Sequence, residues 1–137
     1  MRMWTMLIVV LGLAFNSATA RADDDVAAAQ TVIRSQAEAI AREDAAAAYS
    51  YASPGIQNKF PEAGVFLGMV RDAYPPIYRH KTFEFGEARG SDGTIAQQVH
   101  ILDADGVAWE ALYTLERQSD GSMKITGCVL VKVDRAV

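Results

Sequence analysis

The longest regular alternation of apolar and polar positions lies in residues 106–133, GVAWEALYTLERQSDGSMKITGCVLVKV. In its first half every second residue is apolar, and these residues are Trp109, Ala111, Tyr113 and Leu115. A period of two is typical of a strand with one buried face. The turn residues Ser119-Asp120-Gly121 interrupt the pattern. The stretch therefore predicts two antiparallel strands joined by a tight turn.

Two further extended segments precede this hairpin. Residues 81–89 alternate Phe83 and Phe85 with charged or small residues, and residues 94–102 place Ile95, Val99 and Ile101 on one face. Ser91-Asp92-Gly93 and Ala104-Asp105-Gly106 are turn sequences. The second half of the chain therefore predicts a four-stranded antiparallel meander.

The first half of the chain has a helical period instead. Apolar residues recur at steps of three and four through residues 26–42, a shorter helix is predicted over 45–52, and residues 56–60 read as a connector. A third helix is predicted to start at Pro61, with Phe66, Met69, Val70 and Ala73 as its buried stripe, and to end at Tyr74-Pro75-Pro76. Helices followed by an antiparallel meander predict an α+β fold in which N-terminal helices pack on a curved four-stranded sheet.

The first 22 residues have the features of a secretory signal peptide. Arg2 is followed by an apolar stretch over residues 6–15, which is too short to span a bilayer, and by small residues with cleavage sites after Ala20 or Ala22. We therefore expect residues 1–22 to be removed and residues 23–137 to form a single domain, secreted or periplasmic and without a stable membrane anchor.

The charge of the chain limits its partners. The 137 residues carry 13 basic and 17 acidic side chains, a formal net charge of −4. Removing residues 1–22 takes away Arg2 and Arg21, so 11 basic and 17 acidic residues remain, a balance of −6. An acidic protein is repelled by nucleic acids and anionic membranes, so we expect no nucleic-acid partner.

Several motifs resemble a known family. They are AYSYA at 48–52, MVRDAYPPIYR at 69–79, WEALYTLER at 109–117 and GSMKITGC at 121–128. On these motifs the chain resembles the DUF4864 family of small exported bacterial proteins, and more broadly the NTF2-like or cystatin-like α+β cone. The resemblance implies the fold, and it brings no catalytic residue or cofactor with it. Relatives with that fold include binding modules, dimerisation domains and enzymes, so the fold leaves the function open.

The candidate site is a group of aromatic and polar residues at the junction between helices and sheet. Its members are Arg71, Tyr74, Tyr78, His80, Trp109 and Tyr113. Such residues can line an apolar pocket with a few polar groups, or they can be ordinary core residues. The two histidines, His80 and His100, have no partner at metal-ligand spacing, and His100 is predicted to point outward. Asp103-Ala104-Asp105-Gly106 reads as a hairpin turn rather than a calcium loop, so we expect no metal or cofactor.

The opposite face of the sheet offers a second surface. Strand parity places Ala108, Leu112, Cys128 and Leu130 together there, unless a bulge at Gly127 shifts the parity. An apolar patch of this kind predicts a homodimer interface. Cys128 is the only cysteine, and its apolar neighbours favour a buried, inert thiol over an intermolecular disulfide.

Three functions remain open on the sequence. The first is a non-catalytic module that binds a small apolar or amphipathic ligand, or a protein partner, in the cone. The second is a small hydrolase, isomerase or dehydratase that uses a pocket histidine or aspartate with tyrosine, and His80 or an aspartate buried beside Tyr78 would favour it. The third is a structural or dimerisation domain with a filled core.

Overall fold

The computed structural model describes residues 17–134, which form a series of helices followed by four strands. The helices are α1 (Ser17–Ala41), α2 (Ala45–Ser50), α3 (Pro54–Lys59), α4 (Ala63–Ala73) and α5 (Pro75–Tyr78). The strands are β1 (His80–Ser91), β2 (Thr94–Asp103), β3 (Ala108–Arg117) and β4 (Met123–Lys132). The predicted α+β fold is confirmed, whereas the finer assignment to an NTF2-like or cystatin-like cone stays a prediction.

The four strands form one antiparallel sheet in the order β1-β2-β3-β4. The first hairpin closes with Ser91 opposite Thr94, so Asp92 and Gly93 are its two turn residues. Their φ values are 52° and 79°. A two-residue type I′ turn, whose twist matches that of the flanking strands, needs a positive φ at both turn residues. Aspartate followed by glycine can adopt these angles. The predicted turn is thereby explained at the level of the backbone.

The helices cover one face of this sheet, which we call the inner face. Its buried residues on β2 and β3 are Ile95, Gln97, Val99, Ile101, Ala111, Tyr113 and Leu115. Ile33 and Ile40 of α1 are each 1% exposed in the same core. The outer face is exposed, with Leu112 and Val129 accessible over 44% and 60% of their surfaces. The sheet therefore has one buried and one solvent face, as its period of two predicts.

Gln97 is a polar residue at an inner-face position, and it fills a β-bulge in β1. The pairing of β1 with β2 shifts between Phe85 and Ala88. The Gln97 side-chain amide donates to the carbonyl oxygens of Gly86 (3.1 Å) and Glu87 (3.3 Å), within the bulge. Its own oxygen accepts from Gln30 of α1 at 3.0 Å. Because a bulge leaves backbone groups without ladder partners, this side chain supplies the missing donors.

A second irregularity in β4 changes one prediction. Thr114 pairs with Gly127, but Leu115 pairs with Ile125, so β4 has one extra residue at this point. Beyond it, Tyr113 is directly opposite Cys128, and directly opposed residues share a face. Cys128 and Leu130 therefore lie on the inner face, and their predicted place beside Leu112 on the outer face is wrong. The exposed apolar residues near Leu112 are Val129, Val131 and Val133. A homodimer through the outer face stays a prediction.

The helical half departs from expectation at α3 and α5. Residues 56–60 were expected to form a connector, but Pro54–Lys59 is a helix, capped by the Ser53 hydroxyl, which accepts from the Ile56 N–H at 3.4 Å. Likewise Pro75–Tyr78 forms a short helix just after the predicted stop. Proline is tolerated in the first turn because its missing N–H has no partner there. In α4 the buried stripe is Phe66, Leu67 and Val70, while Ala73 is exposed.

The predicted signal peptide overlaps the described chain only in part. Residues 1–16 lie outside the described residues, whereas Ala20 and Ala22 lie within α1. Among the side chains of α1 that the structure describes, Val26 is the first that packs on the hydrophobic core. Within residues 17–134 the structure has no helix that is long and apolar enough to cross a membrane.

Candidate functional site

A cavity of about 300 Å³ lies between the helices and the inner face of β3 and β4. Most of its wall is apolar, and its apolar lining consists of Ile40, Ile56, Phe60, Phe66, Met69, Val70, Ile77 and Ile125. Gln36, Lys59, Tyr74, Tyr113, Thr126, Gly127 and Cys128 complete the lining. A mainly apolar wall with a few polar groups is typical of small-molecule sites, and the volume is at the lower end of the usual range.

The helical period and the β4 irregularity together build this wall. Met69 and Val70 line the cavity from α4, and Ile40 lines it from α1, one turn beyond Gln36. From the sheet, the extra residue of β4 brings Cys128 opposite Tyr113. At the other side, the Tyr49 hydroxyl holds α3 by donating to the Phe60 carbonyl oxygen at 2.7 Å. The cavity therefore depends on elements that are far apart in the chain.

Tyr113 is the most deeply buried polar residue of the cavity wall. Only 2% of its surface is exposed, and its ring meets the Phe83 ring edge-on, with centroids 6.5 Å apart. Burial raises the pKa of the Tyr113 hydroxyl well above its usual value, and the neighbouring Cys128 and Tyr74 raise it further. The hydroxyl is therefore protonated at any physiological pH and can take part in neutral hydrogen bonds.

Tyr74 and Cys128 flank this hydroxyl. The Tyr74 hydroxyl donates to the backbone carbonyl oxygen of Cys128 at 3.1 Å, and burial raises the pKa of Tyr74. Burial also raises the pKa of the Cys128 thiol to about 12. Because the thiolate is the reactive form of cysteine, Cys128 is an inert thiol near neutral pH, as the sequence predicted.

The remaining polar residues of the wall differ in exposure. Gln36 is 6% exposed, and its amide donates to the Ala48 carbonyl oxygen at 3.2 Å. Lys59 is exposed, so it lies at the solvent margin of the cavity. Among the described lining residues, Lys59 is the one that carries a charge at neutral pH. The deep part of the cavity therefore has no ionic group to pair with a charged ligand.

The structure brings together only part of the predicted site. Tyr74 and Tyr113 line the cavity, whereas Arg71, Tyr78, His80 and Trp109 lie outside its lining. Arg71 and Arg79 approach the Tyr78 ring at 5.9 and 4.4 Å from its centroid. The Tyr78 hydroxyl donates to the Glu43 carboxylate, which also lies 3.6 Å from the Arg79 guanidinium. Tyr78 is thus part of a surface charge cluster.

His80 and Trp109 contact groups of the fold outside the cavity. A ring nitrogen of His80, Nδ1, lies 3.2 Å from the Ile77 carbonyl oxygen, and the ring packs on Phe83 at 5.0 Å. The Trp109 indole N–H donates to the Asp103 carboxylate at 2.9 Å. That bond, followed by a backbone N–H from Val107, lowers the pKa of Asp103.

The Asp103 carboxylate closes the turn between β2 and β3. It accepts from the Asp105 and Val107 N–H groups, each at 2.9 Å, so this sequence is a hairpin turn as predicted. His100 is exposed on the outer face, near Glu110. Within residues 17–134 there is no group of three or more histidine, cysteine, aspartate or glutamate side chains able to hold a metal ion.

Sequence reasoning missed most of the cavity wall. Phe66, Met69 and Val70 were predicted as a buried stripe, but as core rather than cavity residues. Gln36 was not singled out, although a glutamine one turn before Ile40 on the apolar side of α1 is a polar signal at a buried position. The contribution of α3 was absent, because that segment was predicted to be a connector.

Comparison with known proteins assigns the chain to a family. No curated protein and no solved structure matches the chain. Residues 22–136, nearly the whole chain, match the family described as "Domain of unknown function (DUF4864)". The resemblance to this family, noted on the motifs at 48–52, 69–79, 109–117 and 121–128, is thereby confirmed, and the chain belongs to the DUF4864 domain family.

Proposed function

We propose that this chain is an exported, non-catalytic module that binds a small, mainly apolar ligand in the cavity. The observation that carries the proposal is the cavity itself, about 300 Å³ of space behind a wall of aliphatic and aromatic side chains. The space opens to solvent beside the exposed Lys59, so water covers this apolar wall when no ligand is bound. A small apolar molecule in this space would displace that water and remove the apolar wall from contact with it.

The chemistry of the wall supports binding over catalysis. The described lining residues include no histidine, aspartate or glutamate. Its tyrosines and its thiol have raised pKa values, so none of them is a general base or a thiolate nucleophile near neutral pH. His80 or an aspartate buried beside Tyr78 would favour the enzyme hypothesis, but His80 and Tyr78 both lie outside the cavity lining.

Export is supported by the composition of the first 22 residues and by the family match, which begins at residue 22. Cleavage after Ala20 or Ala22 keeps every residue of α1 that is described as packing on the hydrophobic core, the first of which is Val26. It also keeps Asp25, whose carboxylate binds the Arg117 guanidinium at 2.6 Å and ties α1 to the end of β3. Expression of the full chain in a Gram-negative host tests this part. We expect a periplasmic species lacking the first 20 or 22 residues, and a cytoplasmic, full-length product would contradict export.

Native mass spectrometry of protein purified from the periplasm tests the binding function. Val70→Phe fills the cavity from α4, where Val70 is 6% exposed, and Val65→Phe makes the same change on the same helix at a position that is 51% exposed. We expect a retained small molecule in the wild type and in Val65→Phe, and its loss in Val70→Phe. Equal occupancy in Val70→Phe would show that the ligand binds elsewhere.

A further inference from the structure

The Tyr113 hydroxyl lies on a deeply buried residue, and it forms no hydrogen bond with the residues that the structure describes. No hydrogen bond contributes to its raised pKa, which results from burial and from its neighbours Cys128 and Tyr74. Every side-chain oxygen or nitrogen that is sealed from solvent within residues 17–134 does have a hydrogen-bond partner. The Tyr113 oxygen is therefore not sealed. Since 98% of this residue is covered, the small remaining exposure faces the cavity that it lines.

This hydroxyl is not sealed from solvent, so water in the cavity can bond to it when no ligand is present. A phenylalanine would keep the contact with the Phe83 ring and need no polar partner. The tyrosine therefore gives the cavity a polar group with which a bound molecule can pair in place of water.

We infer that the cavity takes an uncharged ligand whose apolar body packs against α4 and whose single hydroxyl or carbonyl group bonds to the Tyr113 hydroxyl. This inference rests on the proposed function and adds to it the chemical class of the ligand. A hydroxyl can donate or accept, so both alcohol-like and ketone-like groups fit it.

The electrostatics of the wall set the charge of the ligand. A carboxylate beside Tyr113 would be desolvated without a cation to pair with, which is strongly unfavourable. Lys59, the charged residue of the described lining, is exposed at the margin of the cavity. The same wall already disfavours the ionised forms of Tyr113 and Cys128. A neutral polar group avoids the desolvation of a charge.

The volume of the cavity limits the size of the ligand. An engineered apolar cavity of roughly 150 Å³ holds one benzene molecule. The cavity here is about 300 Å³. It therefore has room for a body of about two fused rings, or an aliphatic chain of similar volume.

Three probes with the same two-ring body separate the possibilities: naphthalene, 2-naphthol and 2-naphthoate. Each is titrated by NMR into the wild type and into Tyr113→Phe, which removes only the unpaired oxygen and should fold normally. Tyr78→Phe removes a hydroxyl outside the cavity lining and is the control. The measured quantity is the ratio of 2-naphthol affinity to naphthalene affinity in each protein, so the different water solubilities of the probes cancel between proteins.

We expect this ratio to be about threefold to tenfold higher in the wild type and in Tyr78→Phe than in Tyr113→Phe, as one net hydrogen bond would give. An unchanged ratio in Tyr113→Phe, with all probes bound, would overturn the assigned polar partner and leave the apolar site intact. Preferential binding of 2-naphthoate that is lost in Lys59→Met would overturn the uncharged class. Failure of the wild type to bind any probe would instead overturn the proposed binding function.

Discussion

Replacing Gln97 by leucine tests whether a buried amide supports the irregular edge of the sheet. Gln97 is 0% exposed, and its amide donates to Gly86, Glu87 and Gln98 carbonyl oxygens at 3.1, 3.3 and 2.7 Å. Leucine has a similar size and no donor. The variant therefore keeps the packing volume approximately and removes the hydrogen bonds of the bulge.

The expected decrease in the free energy of unfolding of Gln97→Leu follows from these contacts. Two bulge carbonyls without donors cost about 1–3 kcal/mol each, hence roughly 2–6 kcal/mol together. The more apolar leucine returns about 1–2 kcal/mol of transfer free energy. We expect a net decrease of about 3 kcal/mol in the free energy of unfolding, a large part of the roughly 5–15 kcal/mol of a typical domain.

Urea unfolding followed by circular dichroism measures this difference, and the midpoint should fall by about 1–3 M at ordinary m values. Gln98→Leu is the matched control, because Gln98 is the next residue and lies on the outer face, where water can replace its bonds to Glu87 and Glu110. We expect that variant to lose less than about 1 kcal/mol. If Gln97→Leu is as stable as Gln98→Leu, the side chain does not support the bulge.

Two further predictions concern the same sheet. Trp109→Ala should lower the free energy of unfolding by about 2 kcal/mol in the same urea assay. The indole is only half-buried, so its removal costs less than the roughly 3–5 kcal/mol that is typical of a fully buried tryptophan. A decrease no larger than that of Leu112→Ala, at an exposed position, would refute this prediction. Burial raises the pKa of the Cys128 thiol from an ordinary value of 9.0 to about 12 in the folded protein. The contribution of the protonated thiol to the stability of the fold is therefore fully present below pH 9. It is lost as the pH rises toward 12, by up to about 1.4 kcal/mol per pH unit. The wild type should therefore lose stability between pH 8 and pH 10 relative to Cys128→Ala, and parallel pH profiles would contradict a buried thiol.

The sequence predicted the sheet well because short-range rules govern it. The alternation of Ile95, Val99 and Ile101 with polar residues defines the inner face of β2, and Asp92-Gly93 defines its turn. Gln97 has the same parity, but the sequence does not show that a bulge in β1 makes an amide acceptable in the core. That requirement comes from pairing with another strand.

From the sequence, only the types of residue in the candidate site could be predicted. Tyr74 and Tyr113 were selected as aromatic residues with hydroxyls, and they line the cavity. Tyr78 and Trp109 met the same criterion, but their polar atoms bond to Glu43 and Asp103 outside the cavity. Composition cannot separate the two groups, because the separation depends on how α3, α4 and α5 pack on the sheet.

The extra residue of β4, Thr126, lies beside Gly127 and links the cavity to the outer face. Because side chains alternate along a strand, one inserted residue reverses the face of every residue beyond it. Thr114 and Thr126 share a hydrogen bond of 3.0 Å here, and a β-carbon on Gly127 would lie 3.1 Å from the Thr114 hydroxyl, so a glycine suits the crowded position. The shift turns Cys128 inward, where its carbonyl oxygen accepts from Tyr74 and its thiol is shielded. An intermolecular disulfide would therefore require the cavity wall to open, so any contact between copies through the outer face would depend on Leu112 and the exposed valines of β4 rather than on Cys128.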